Sequence, residues 1–97
     1  GLGLSFNIAS YAMLTHILAH WLELDIGWLI GDLTNVHVYH THFDALKEQV
    51  KRDPLPPCQA PIIPNNFTLD TIDNFTALDF PLINYKSHSA IKMKMSG

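Results

Sequence analysis

Cysteine is almost missing from this sequence: Cys58 is the only one in 97 residues. A lone thiol excludes a disulfide framework and any multi-cysteine metal site, and it fits a reducing compartment, which points to the cytoplasm. Charge is scarce as well, at 15% of residues, with six Lys+Arg against nine Asp+Glu for a net charge of −3. A general nucleic-acid or anionic-membrane binder would carry the opposite excess. A membrane span is also lacking, because the most apolar stretch, 8–24, is broken by Ser10, Thr15, His16, His20 and Glu23. No secretory signal is visible. The chain opens without Met inside an apolar phrase, Gly1-Leu2-Gly3-Leu4, so it is expected to be a fragment or processed part of a longer protein.

What is abundant is apolar side chain. A hydrophobic content of 47% suffices for a core and rules out a disordered tail. For a single domain of this length, size scaling gives roughly 15,800 Å² of unfolded surface and roughly 5,600 Å² folded, so about 65% would be buried.

Along the chain, Ile8, Tyr11, Ala12, Leu18 and Leu22 fall on one helical face, and Leu14, Ile17, Trp21 and Leu24 on a neighbouring one. The spacing predicts a helix over 7–24, apolar around most of its girdle and therefore buried, with Gly27 ending the unit. Large apolar residues over 28–33 and alternation over 36–39 read as strands. Residues 40–52 read as an amphipathic surface helix, with Phe43, Leu46 and Val50 opposite Lys47, Glu48 and Lys51. Five prolines between Pro54 and Pro64 forbid helix there. Short helical turns are expected over 70–75 and 76–80, and a last strand over 83–95. Helix, strand, strand, helix, extended, strand is an α+β order.

Several residues could carry chemistry. His37, His40 and His42 are close enough in sequence to suggest a transition metal, but no carboxylate or cysteine completes a tetrahedral set, and no metal is expected. His37 and Tyr39 would share one face of a strand, as a pair converging on a sugar hydroxyl or as a structural buried pair. His16 and His20 have the i,i+4 spacing of zinc proteases. However, Ile17 stands where the general-base Glu would be needed, so satisfied core or interface histidines are the better reading. Asn7 opens the long helix with Ser10 three residues on, either as an N-cap or as a carboxamide whose donor and acceptor match a uracil edge. Cys58 follows two prolines, with only Lys51 and Arg52 as nearby cations, and reads as a passive thiol. Two N-glycosylation patterns, at Asn66 and Asn74, mean little without a secretory signal.

The phrase Gly3-Leu4-Ser5-Phe6-Asn7-Ile8-Ala9-Ser10-Tyr11 is followed by Leu14-Thr15-His16, His37-Val38-Tyr39, His42 and Leu46-Lys47-Glu48-Gln49. In this order, and with the ending His88 through Ile91-Lys92-Met93, these residues closely resemble the carboxy-terminal part of the thymidylate synthase family. The resemblance covers nearly the whole chain and is weakest over 54–81. Asn35 stands where many members have Asp, and Ser5 where Pro is frequent.

The resemblance implies an α+β thymidylate synthase-like fold, with a mixed sheet packed on a long buried helix and two subunits joined sheet to sheet as a homodimer. Residues 1–97 would be the carboxy-terminal portion of one such domain. It further implies reductive methylation of dUMP to dTMP, with 5,10-methylenetetrahydrofolate as carbon donor and reductant. By position, Asn7 would bind the uracil edge and act in catalysis, with Ser10 supporting it from the next turn. His37 and Tyr39 would hold the deoxyribose 3′-hydroxyl, and Val38 would line the site. Leu2, Gly3 and Phe6 would border the folate, and Ser96 would contact it through its backbone as the tail closes.

In the family the nucleophilic cysteine and a phosphate-binding arginine lie before the position of Gly1, so the partner needed for activity is the amino-terminal part of the same enzyme, and Cys58 is not the nucleophile. No membrane is implied, and no nucleic acid beyond the protein's own messenger RNA. A dUMP hydroxymethylase on the same scaffold, and a catalytically silent nucleotide-binding homologue, share most of these residues.

Overall fold

A computed structural model describes residues 1–95; Ser96, the expected backbone contact to folate, lies outside the described residues. The first helix, α1, runs Leu4–Leu22 and starts earlier than the spacing predicts. Gly3 occupies the N-cap without a side-chain bond, and the Asn7 N–H donates to the Gly3 carbonyl at 3.0 Å. Asn7 is therefore inside the helix and is not its cap. Alanine, leucine and methionine make up eight of the 19 residues of α1, while Ser10 and Thr15 return their hydroxyls to the carbonyls four residues back, at 3.0 and 2.9 Å. The helix stops at Glu23, before Gly27. Glu23 adopts left-handed φ 53° and ψ 42°, and the Leu24 N–H donates to the Ala19 carbonyl at 2.9 Å.

The amphipathic segment forms as expected, in two steps. Residues His40–His42 make a 3₁₀ turn that feeds helix α2, Phe43–Val50. Short 3₁₀ turns also form at Ile72–Asn74 and Ala77–Asp79, the second held by a capping box between Thr76 and Asp79.

The core sits where the resemblance is weakest. Phe67, only 4% exposed, is the buried hydrophobic residue among those described. The Trp21 ring stacks on it at 5.2 Å, and Phe75 and Phe80 meet it edge-on at 5.0 and 4.9 Å. The Trp21 indole N–H donates to the Phe67 carbonyl at 2.8 Å, so this knot pins the end of α1 to the 66–80 loops.

The α+β reading is met only in part, and its expectation of a buried α1 is corrected. No strand forms among the described residues, which therefore do not show the mixed sheet, and α1 has no fully buried residue. A strand's backbone groups need a neighbouring strand to bond to, and 28–33, 36–39 and 83–95 do not offer one another a ladder. In 28–33 the side chains stay in solvent, Trp28 at 96% and Ile30 at 86% exposed, whereas Ile83, Ile91 and Met93 are half-buried. The surface is 8588 Å², about 1.5 times what size scaling allows a self-contained domain of this length. The radius of gyration, 16.5 Å, likewise exceeds the roughly 12.5 Å of a compact chain. No described helix is long and apolar enough to cross a membrane.

Candidate functional site

The amino-terminal end of α1, the segment 32–38 and the cleft-facing side of α2 enclose an open cleft of about 1050 Å³. Asn7 reaches it from the second turn of α1, where its amide lies back along the helix toward Gly3, the direction that helical side chains take. His37 and Val38 also line it, and Leu46 and Val50 of α2 add aliphatic surface. Residues 30 apart in sequence thus share one cavity, with an amide, an imidazole and aliphatic surface facing the same space.

The other sequence-derived site residues are placed differently. Ser10 is exposed, and its hydroxyl goes to the Phe6 carbonyl, not to Asn7. Phe6 is 76% exposed, and Leu2, like Phe6 and Ser10, lies off the cleft lining. Tyr39 also stands outside the lining, with its ring edge-on to His42 at 5.6 Å and 87°. The expected shared face of His37 and Tyr39 depends on strand pleating, and with no partner strand that alternation is not imposed.

The histidine cluster disperses. His37 faces the cleft, and His40 packs edge-on to Phe43 at 5.2 Å. His42 is buried at 2% exposure, with Nε2 2.7 Å from the Lys94 carbonyl. Among the described residues no three His, Cys, Asp or Glu side chains gather as metal ligands would. Cys58 is half-buried in the proline-rich segment, where the Gln59 N–H donates to the Ile83 carbonyl at 3.1 Å.

Sequence reasoning gave no role to several polar residues of the cleft. Asp32 and Gln49 line it, and Arg52 stands at its edge, with Nη1 donating to the Ser89 carbonyl at 2.6 Å and Nε 3.7 Å from the Glu48 carboxylate. The signal was present for Arg52, whose i,i+4 spacing from Glu48 marks a side chain fixed along the helix. The buried His42 gave no separate signal, since it reads as one more member of the cluster.

Comparison with known proteins follows the same residues. The whole sequence, residues 1–97, matches the family described as thymidylate synthase. A thymidylate synthase from Ascaris suum is 46% identical over 99% of this chain and 32% of its own length, and one from Saccharomyces cerevisiae is 44% identical over 99% and 31%. A bifunctional dihydrofolate reductase-thymidylate synthase from Zea mays is 42% identical over 99% of this chain and 18% of its own. This chain therefore spans about a third of the length of the single-function relatives. No solved structure matches it. On the match along its full length, the chain belongs to the thymidylate synthase family.

Proposed function

We propose that this chain is the carboxy-terminal portion of an enzyme that methylates dUMP to dTMP, with 5,10-methylenetetrahydrofolate as cosubstrate and dihydrofolate as second product. The observation that carries the proposal is that Asn7 and His37 line one cleft. A carboxamide offers a donor and an acceptor side by side, which pairs with the N3–H and O4 of uracil. As negative charge spreads onto O4 after a cysteine elsewhere in the enzyme adds to C6, the Asn7 amide donates to it and lowers the barrier. His37, in the same cleft, is suited to the sugar hydroxyl, and Val38 with Leu46 excludes water from the base.

The folate supplies the one-carbon unit and the hydride when bound. The residues present fit such a group: the cleft is far larger than a nucleotide base needs, and its lining includes Gly1, Gly3 and the aliphatic side chains of Leu4, Leu33, Val38, Leu46 and Val50. In the complete enzyme Tyr39 turns toward His37 once the 36–39 segment is paired, and the apolar face of 28–33 is covered by the remainder of the chain or by a second subunit.

The test uses the complete enzyme. Asn7→Asp should move preference from dUMP toward dCMP, because a protonated carboxyl presents the complementary pattern. Unchanged base preference in a competition assay would remove Asn7 from base recognition. Dihydrofolate as the folate product identifies methylation; tetrahydrofolate would identify hydroxymethylation instead.

A further inference from the structure

His42 does something that neither base nor sugar recognition requires. It is 2% exposed, yet it sits in a short 3₁₀ turn between a half-exposed tyrosine and a surface helix, surroundings where a buried imidazole is unexpected. A carbonyl can only accept, so the 2.7 Å contact to Lys94 means that Nε2 carries the hydrogen and donates. This bond joins residues 52 apart in sequence and fixes the carboxy-terminal tail to the corner that follows His37 and Tyr39. The same contact region includes Gly1. A side chain there would come within 2.9 Å of the Met93 sulfur, 3.2 Å of His42 Nδ1 and 3.4 Å of Leu46. Gly1 and Leu46 also line the cleft, so the tail is seated on the outer surface of the cleft wall. The remaining imidazole nitrogen, Nδ1, is buried without a hydrogen-bond partner among the described residues, leaving Nε2 as the atom that anchors the ring.

We propose that His42 is a positioning residue that latches the carboxy-terminal tail at Lys94 to the wall of the cleft while its ring supports Tyr39. The identity of the cleft's ligand rests on the function proposed above, whereas the latch does not require that ligand. The ring of Tyr39, assigned to substrate binding, and the backbone at Lys94 are thereby tied to one buried imidazole. The His42 bond also covers a cleavable link, because Lys94–Met95 is a trypsin site whose own carbonyl is the acceptor.

The test uses the complete enzyme and reads tail release directly. In wild type, long-range nitrogen–proton NMR should show His42 protonated at Nε2. Protonation at Nδ1 alone would overturn the latch without any variant being made. His42→Phe keeps a ring against Tyr39 but removes the donor, so trypsin cleavage after Lys94 should accelerate about tenfold, the factor one hydrogen bond is worth. His42→Gln, with an N–H at similar reach, should return the rate toward wild type. Cleavage of a folded His42→Phe enzyme at the wild-type rate, or of His42→Gln as fast as His42→Phe, contradicts the proposal. Since neither readout needs turnover, a latch that holds in an enzyme with no activity on dUMP would leave this inference standing and remove only the proposed reaction.

Discussion

The aromatic knot around Phe67 and the segment 24–39 hold comparable amounts of apolar side chain and behave in opposite ways. Phe67, Trp21, Phe75 and Phe80 find one another across two 3₁₀ turns and one indole hydrogen bond, and Phe67 is buried. Trp28 and Ile30 find nothing and remain in solvent. The knot needs only short loops and ring faces, all of which this chain contains. The 24–39 segment has a strand's composition, and a strand is stable only when its backbone is paired. Hydrophobicity therefore measures how much a segment needs a partner, and says nothing about where that partner is.

The largest expected effect breaks the knot. Phe67→Ala removes the ring against which three others pack and should lower stability by about 3–5 kcal/mol in a urea melt. Trp28→Ala sharpens the contrast. In this chain alone it should cost less than about 0.5 kcal/mol, as an exposed side chain does. In the complete enzyme, with the segment covered as proposed, the same change should cost about 3–5 kcal/mol. A small loss in both settings would show that 24–39 has no partner anywhere. The smallest effect lies at the junction of the two regions. Glu23 holds a left-handed conformation that disfavours any side chain, so Glu23→Gly should raise stability by about 0.5–1 kcal/mol, read as a small increase in Tm. A lower Tm would mean that the Glu23 side chain contributes more than its backbone costs.

The legible parts of the fold were those decided locally. Helical periodicity located α1 to within three residues at its start, the amphipathic pattern gave α2, and the turn residues of 70–80 gave the two late 3₁₀ turns. Sheet formation was not legible, because alternation in 36–39 and 83–95 reports a preference for pairing and carries no information about the partner. The Phe67 knot was missed for a related reason: its rings lie in proline-flanked loops with no period, and Trp21 meets them from 46 positions away.

At the site, the residues that the sequence singled out separate along the same line. Asn7, rigid on a helix, and His37 and Val38 reach the common cleft. Ser10 turned its hydroxyl to its own helix, which the amphipathic pattern could not reveal because a Ser at that depth has a carbonyl available four residues back. Tyr39 depended on a pleat that did not form. His42, assigned only to an improbable metal cluster, proved to be the buried member of the group because Lys94 returns from the far end of the chain to meet it.

Nucleotide binding by the complete enzyme is the most direct measurement. Isothermal titration with dUMP should give clear binding heat in the wild type. Asn7→Ala and His37→Ala should each weaken binding by about tenfold or more, as the loss of a hydrogen bond to a buried polar group does. A wild-type enzyme that takes up no dUMP, or variants that bind it as tightly as the parent, would show that the amide and the imidazole face the same cleft without sharing a ligand.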